Sequence, residues 1–304
     1  MQPETATSFR LSPQQERLWL AEDEPTGRSL GLFQLTGPLD TDRLREALLR
    51  VVERHEILRT TFQRQAGMRL PLQVVHRELA PQWEVHDLTG LGPDEAEARR
   101  AQLAAAAESG VWNLADGPLV RALVLSLAPD RSLLVLSVAA VCADAASVVT
   151  IAREVAAHYA NASVAVEPLQ YADFAEWQHE LLAADDEDAA AAKEFWSREV
   201  GAATPAVPFL GPAAPGSPRE AVALDLGADT VTAIEKSAAQ YGVAPDVFVE
   251  AAWHVVLSLL SGSDEFLVAR MSRARQHSEL ETAIGSFSRP FPFRVVVPSG
   301  STFS

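Results

Sequence analysis

The stretch PLVRALVLSLAPDRSLLVLSVAAV, residues 118 to 141, decides how this chain folds. Two runs rich in Leu, Val and Ala flank Ala128-Pro129-Asp130-Arg131, a turn set by Pro and Asp. Each run is bounded by turn residues and is far short of the ~18 apolar residues a membrane span needs. The pair reads as a β-hairpin whose strands are covered on both faces. Its second strand runs into SVAAVCADAAS (137 to 147), small and apolar but for Asp144. Helical spacing then takes over from Ala146 to Tyr159.

Upstream, Ser12, Pro13 and Gln15 are placed as helix N-cap, first helical residue and capping-box residue. A strand is expected over 30 to 37, and an amphipathic helix over Thr41 to His55, with Leu44, Leu48, Val51 and Val52 on one stripe. Short strands are expected around Ile57–Gln65, Pro71–His76 and Trp83–Asp87, then an Ala-rich helix, Pro93–Glu108. Downstream, Tyr171–Leu182 and the segment ending KEFWSREV read as helices, with Asp185 to Asp188 as a solvated helix start. Residues 202 to 220 read as a linker. Beyond it a strand (Ala221–Leu226), two helices (Ala228–Tyr241 and Pro245–Leu260) and a strand (Glu265–Met271) are expected. A last strand follows, with nothing to pair or cover it. Long helices set against apolar strands define an α/β (α+β) two-layer sandwich.

The 304 residues include 48% hydrophobic and 22% charged, enough apolar surface for real cores. A net charge of −16 opposes binding to nucleic acid or to anionic membranes. One cysteine excludes an intramolecular disulfide and a cysteine-based zinc site. The opening MQPETATSFR has no apolar core and is not expected to act as a secretory signal. A cytoplasmic location is expected.

Four motifs then carry a resemblance. LSPQQERLWL (11 to 20), RHEILRTTF (54 to 62), YADFAEWQ (171 to 178) and IGSFSRPFPFRV (284 to 295) resemble, in order, signatures of the condensation domains of nonribosomal peptide synthetases. The resemblance implies a two-lobed V of the chloramphenicol acetyltransferase type. Here it implies an N-terminal lobe over 1–175, interlobe helices and linker over 176–220, and a partial C-terminal lobe over 221–304. The family's second lobe continues past this motif, so the chain is expected to be a fragment of a synthetase or an abbreviated relative. It implies no directly bound cofactor. Peptidyl or acyl carrier proteins are the implied partners, delivering substrates on phosphopantetheine arms to an amide-forming centre.

That centre, HHxxxDG in the family, falls on Ala139-Ala140-Val141-Cys142-Ala143-Asp144-Ala145. Both histidines and the glycine are alanine. A methyl group neither accepts nor holds a proton, and loss of a general base typically costs ~10²–10⁴-fold in rate. The resemblance makes Asp144 a structural acid paired with Arg275, and Arg289 stands where the family has asparagine. Arg294 completes that motif. Arg54, Glu56 and Arg59 are expected to form a charge network that holds helix to strand, and the His55 imidazole is expected on the last helix carbonyls. Cys142 has no base beside it in sequence and reads as a small hydrophobe. Trp177 and Trp196 read as core anchors, and His254 as part of a core helix. The expected function is a catalytically degenerate condensation-type scaffold for carrier proteins or a tailoring enzyme. The alternative is a slow amide- or ester-forming acyltransferase on carrier-bound thioesters.

Overall fold

In a computed structural model the described residues are 7–22, 27–164, 167–201, 224–272, 274–298 and 300. In chain order come β1 (Thr7–Phe9), α1 (Pro13–Glu22), β2 (Arg28–Thr36), α2 (Thr41–Arg54), β3 (Thr60–Gln63), β4 (Leu72–Val75) and β5 (Gln82–Asp87). Then follow α3 (Pro93–Ser109), β6 (Val120–Ala128), β7 (Arg131–Ala139), α4 (Ala145–Tyr159), α5 (Tyr171–Ala183) and α6 (Glu187–Gly201). The remainder is α7 (Ala228–Gln240), α8 (Pro245–Ser261), β8 (Glu265–Ser272) and β9 (Arg289–Val296). Two compact units result: Met1–Ala184 with Ser272–Arg289, and Asp185–Met271 with Pro290–Ser304.

The hairpin forms where the sequence places it and organises the first unit. β6 and β7 pair antiparallel, β2 adds antiparallel to β7 and β5 adds parallel to β6, giving the order β2-β7-β6-β5. Side chains alternate across this sheet. Ala122, Val124, Leu134, Leu136 and Val138 join a core with Leu44, Leu48 and Val51 of α2 and Val148, Ile151 and Val155 of α4. Leu123, Leu125 and Val135 face the other way, against Leu103 and Ala107 of α3. Burying each such leucine contributes ~1.5–3 kcal/mol. A second sheet, β1-β4-β3, flanks this core.

Local chemistry fixes the helix starts. The Ser12 amide donates to Gln15 Oε1 (2.9 Å) and the Gln15 amide to Ser12 Oγ (3.2 Å), the expected capping box. Asp40 caps α2 through the amides of Asp42 and Arg43. The expected strand at Ile57 starts late: Glu56–Arg59 is a 3₁₀ turn that leads into β3.

In the second unit β9 pairs with β8, which corrects the expectation of an unpaired last strand. Leu257, Phe266 and Val295 form a small core there. The reading of α8 as a core helix is also corrected: only Leu257 and Ser258 are buried, while His254 is half-buried and Trp253 is 57% exposed. Apolar residues lie on more than one side of α8, and the small core covers a single stripe. Trp177 and Trp196 are not core anchors, at 44% and 41% exposure. Trp177 lies against Phe174 and His277, and Trp196 against Phe195 and Phe291. The expected linker at 202–220 lies outside the described residues. So do residues 221–223 of the expected Ala221–Leu226 strand, and Leu224–Leu226 form no strand. Among the described residues no single helix is long and apolar enough to cross a membrane.

Candidate functional site at the turn after β7

β7 ends at Ala139, and the chain then makes one tight turn in which the Cys142 and Ala143 amides return to the Ala139 carbonyl. Outside partners fix this turn. The Ala140 amide donates to Gly27 O (2.9 Å), Ser29 Oγ to Ala143 O (2.8 Å), and Gln15 Nε2 to Val141 O (2.9 Å). Gln15 therefore both caps α1 and holds the turn. Ala139 is fully buried and Ala140 half-buried.

Asp144 sits at the N-cap of α4, where its Oδ1 accepts the Ser147 amide at 2.9 Å. Arg275 meets the same carboxylate with both Nη atoms, Nη1 to Oδ2 at 2.8 Å and Nη2 to Oδ1 at 2.9 Å. Ser288 adds its amide (3.0 Å) and hydroxyl (2.9 Å) to Oδ2. Five donors thus occupy the roughly four acceptor sites of one carboxylate. Burial pushes the Asp144 carboxyl up, but the Arg275 hydrogen bonds and charge, with the Ser147 amide, hold it below the usual 3.8.

Ser147 extends this frame to the segment after a 3₁₀ turn at Ser278–Leu280. Its hydroxyl donates to Gly285 O (2.9 Å) and accepts from Gly285 N (3.0 Å) and Arg275 Nη2 (2.8 Å). The Arg275 guanidinium also lies 4.5 Å from the centre of the Phe287 ring. Phe287 packs on Tyr171 and Phe174. The Tyr171 hydroxyl donates to Ser286 O (2.8 Å) and meets Ser12 Oγ at 2.7 Å. Burial drives the Tyr171 hydroxyl well above its ordinary range, so it stays protonated.

The other motif residues lie apart from this carboxylate. His55 is the C-cap of α2, but its ring does not bind the last helix carbonyls. Nε2 meets Glu154 Oε2 at 2.8 Å, and Arg54 Nε approaches the same oxygen at 3.6 Å. A buried imidazole gains more from a carboxylate than from a neutral carbonyl at the helix end. Arg59 donates to His76 O and lies 3.5 Å from Glu56. Arg289 is exposed, and its neighbour Ser288, not Arg289, reaches Asp144. Arg294 pairs with Glu265 in the second unit. Cys142 is fully buried, and burial drives its thiol well above the ordinary range. Among the described residues no group of three His, Cys, Asp or Glu is arranged to hold a metal.

Ser147, Ser288 and Glu154 are absent from the sequence reading. Ser147 had a signal: it stands three residues after Asp144, the spacing of an N-cap and its N3 residue. Ser288 and Glu154 had none.

An α/β frame whose strand-end turn is locked by an N-capping aspartate and a returning arginine defines a condensation-type fold. The chain belongs to the Condensation domain family, which matches residues 5–304. It is 31% identical to phosphinothricin tripeptide synthetase PhsC of Streptomyces viridochromogenes over 96% of this chain and 28% of that protein, so it spans under a third of that relative. Among solved structures it is similar to the SgcC5 protein from Streptomyces globisporus, 28% identical with a TM-score of 0.78, covering 96% of this chain and 69% of that one. It is also similar to the X-domain complexed with OxyB from teicoplanin biosynthesis. The identity there is 25% and the TM-score 0.72, covering 99% of this chain and 68% of that one.

Proposed function

We propose that this condensation-type chain works as a docking scaffold in nonribosomal peptide assembly, receiving carrier proteins or a tailoring enzyme and forming no amide bond itself. One observation carries the reading: in the register of the family's paired histidines the turn presents Ala139 and Ala140, while the frame behind it stays intact. Ala140 has a methyl group where an imidazole would take a proton. The acid four residues later, Asp144, is no substitute, because five donors already fill it. The likeness to an X-domain in complex with OxyB supports the scaffold reading, because that domain shares the fold and engages a protein partner. The phosphopantetheine arm of a carrier would enter as a tether, with no cofactor held by the chain.

The test is a pair of measurements on the purified chain. Binding to carrier proteins and tailoring enzymes encoded beside it should be detectable by pull-down. Incubation with aminoacyl-loaded donor and acceptor carriers should give no more amide than the protein-free control. Product at rates typical of condensation domains would overturn the proposal and favour the acyltransferase alternative.

A further inference from the structure

We propose that the cavity between α3 and the β5-β6-β7 face of the sheet is a binding site for a short-chain carboxylate. The sheet register builds its polar end. Gln82 lies opposite Arg121, and Arg121 opposite Ser137, so the three side chains stand in one row on the face that α3 covers. All three line the cavity, whose walls are completed by apolar Leu103, Ala106 and Val135.

Two donors in that row have no partner. Ser137 is 1% exposed and its Oγ makes no hydrogen bond. Arg121 Nε is buried and equally unpaired, although the same guanidinium donates through Nη2 to Val111 O at 2.6 Å. A second cation stands close by. Arg28 and Arg121 lie 5.5 and 4.0 Å from the centre of the Trp112 ring. Arg28 is spent on the Ala107 and Gly110 carbonyls at the C-terminal end of α3.

Among the described residues neither guanidinium has a carboxylate within ion-pair distance. Glu84 lines the same cavity but is held by Gln82 (2.7 Å) and lies 3.5 Å from His86. Burial and the neighbouring charge of Arg28 both work against the ionised Arg121, with Glu84 only partly offsetting them. An incoming anion would offset that opposition through its charge.

A carboxylate matches this set. One oxygen can accept from Arg121 Nε–H and the other from the Ser137 hydroxyl, as charge-assisted hydrogen bonds. Its alkyl tail would lie on Leu103, Ala106 and Val135. The cavity holds about 120 Å³. An apolar cavity of ~150 Å³ accepts benzene, so a three-carbon acid fits and a drug-sized ligand does not.

The test titrates the purified chain with sodium propionate, with sodium chloride and neutral propionamide as controls, following thermal melting and tryptophan fluorescence. Propionate should raise the melting temperature saturably, and neither control should. Ser137→Ala should weaken binding about tenfold, the loss of one hydrogen bond to a charged group. Ala106→Leu should melt cooperatively yet lose the response, because it fills the cavity. If Ala106→Leu fails to fold, Ser137→Ala decides the matter. An equal response to chloride, no saturable response, or unchanged binding in Ser137→Ala would show that the cavity holds ordered water only, and would overturn the proposal.

Discussion

The ring of Tyr171 occupies the space that any side chain on Gly285 would need: an ideal Cβ on Gly285 falls 1.9 Å from Tyr171 Cδ2. The glycine of the IGSF motif is thus required by close approach. It lets the backbone that donates to Ser147 pass against a fully buried aromatic ring. Gly285→Ala is expected to destabilise the chain by about 3 kcal/mol or more, the upper end of overpacking costs. Urea unfolding followed by circular dichroism measures it. Adding Tyr171→Leu should recover part of the loss, because the ring is the obstacle. No recovery would place the strain elsewhere.

Asp144→Asn keeps the shape but removes the charge that Arg275 faces, and both side chains are over nine-tenths buried. The expected cost at neutral pH is roughly 3–5 kcal/mol, that of leaving one buried partner uncompensated. The pH dependence gives a second check. The folded carboxyl lies below its ordinary 3.8, so its stabilisation is complete above that value and fades as pH falls through the lower folded value. The gap between the natural chain and Asp144→Asn should therefore narrow between about pH 5 and about pH 2. A gap constant across that range would mean that Asp144 contributes nothing through its charge.

Periodicity and turn chemistry were enough to place most of the first unit's elements, though not the short edge strand β1. The Pro-Asp turn fixed the hairpin, and Ser12 with Gln15 fixed the start of α1. Exposure in the second unit was harder to read. Residues 245–261 carry apolar side chains on several sides, so the sequence looks the same whether α8 is buried or, as found, mostly exposed. The pairing of β9 with β8 was missed because a register between strands is not written in either one. At the site the acid and its arginine stood in recognisable motifs. Ser288 was invisible because its role depends on where the segment after Arg275 folds back. Glu154 reads as one more solvated helix position, and only the packing of α2 against α4 turns it toward His55.

Ala140→His restores the family's residue at a half-buried position of the turn. On the scaffold reading the variant should stay at the protein-free background with carrier-bound substrates, because the alanines at 139 and 145 and the exposed Arg289 remain. A gain in the ~10²–10⁴-fold range of a general base would show a cleft still open to substrates. That result would argue for lost chemistry with retained substrate binding.

His55 and Glu154 bind α2 to α4 through one 2.8 Å contact, with the imidazole 1% exposed. His55→Ala and Glu154→Ala should each cost ~2–4 kcal/mol, from a cavity in the first case and an orphaned donor in the second. The double variant should cost less than the two losses added, with a coupling of ~0.5–3 kcal/mol. Strict additivity would show that the pair acts through packing alone.

Cys142 occupies the position before Ala143 and Asp144 where sequence invites a nucleophile. A thiol reacts as its thiolate, and forming one here would place a charge in a site with no exposed surface. The start of α4 gives no help, because the Ser147 amide donates to the Asp144 carboxylate and the Val148 amide to the Asp144 carbonyl. Burial raises the thiol well above its ordinary range. Iodoacetamide at mildly alkaline pH should therefore leave the folded chain unmodified, while the same reagent in urea alkylates Cys142 fully, as read by intact mass. Alkylation of the folded chain at the rate of a free thiol would mean that the turn after β7 opens readily, and the rigid frame argued for Asp144, Ser147 and Gly285 would have to be abandoned.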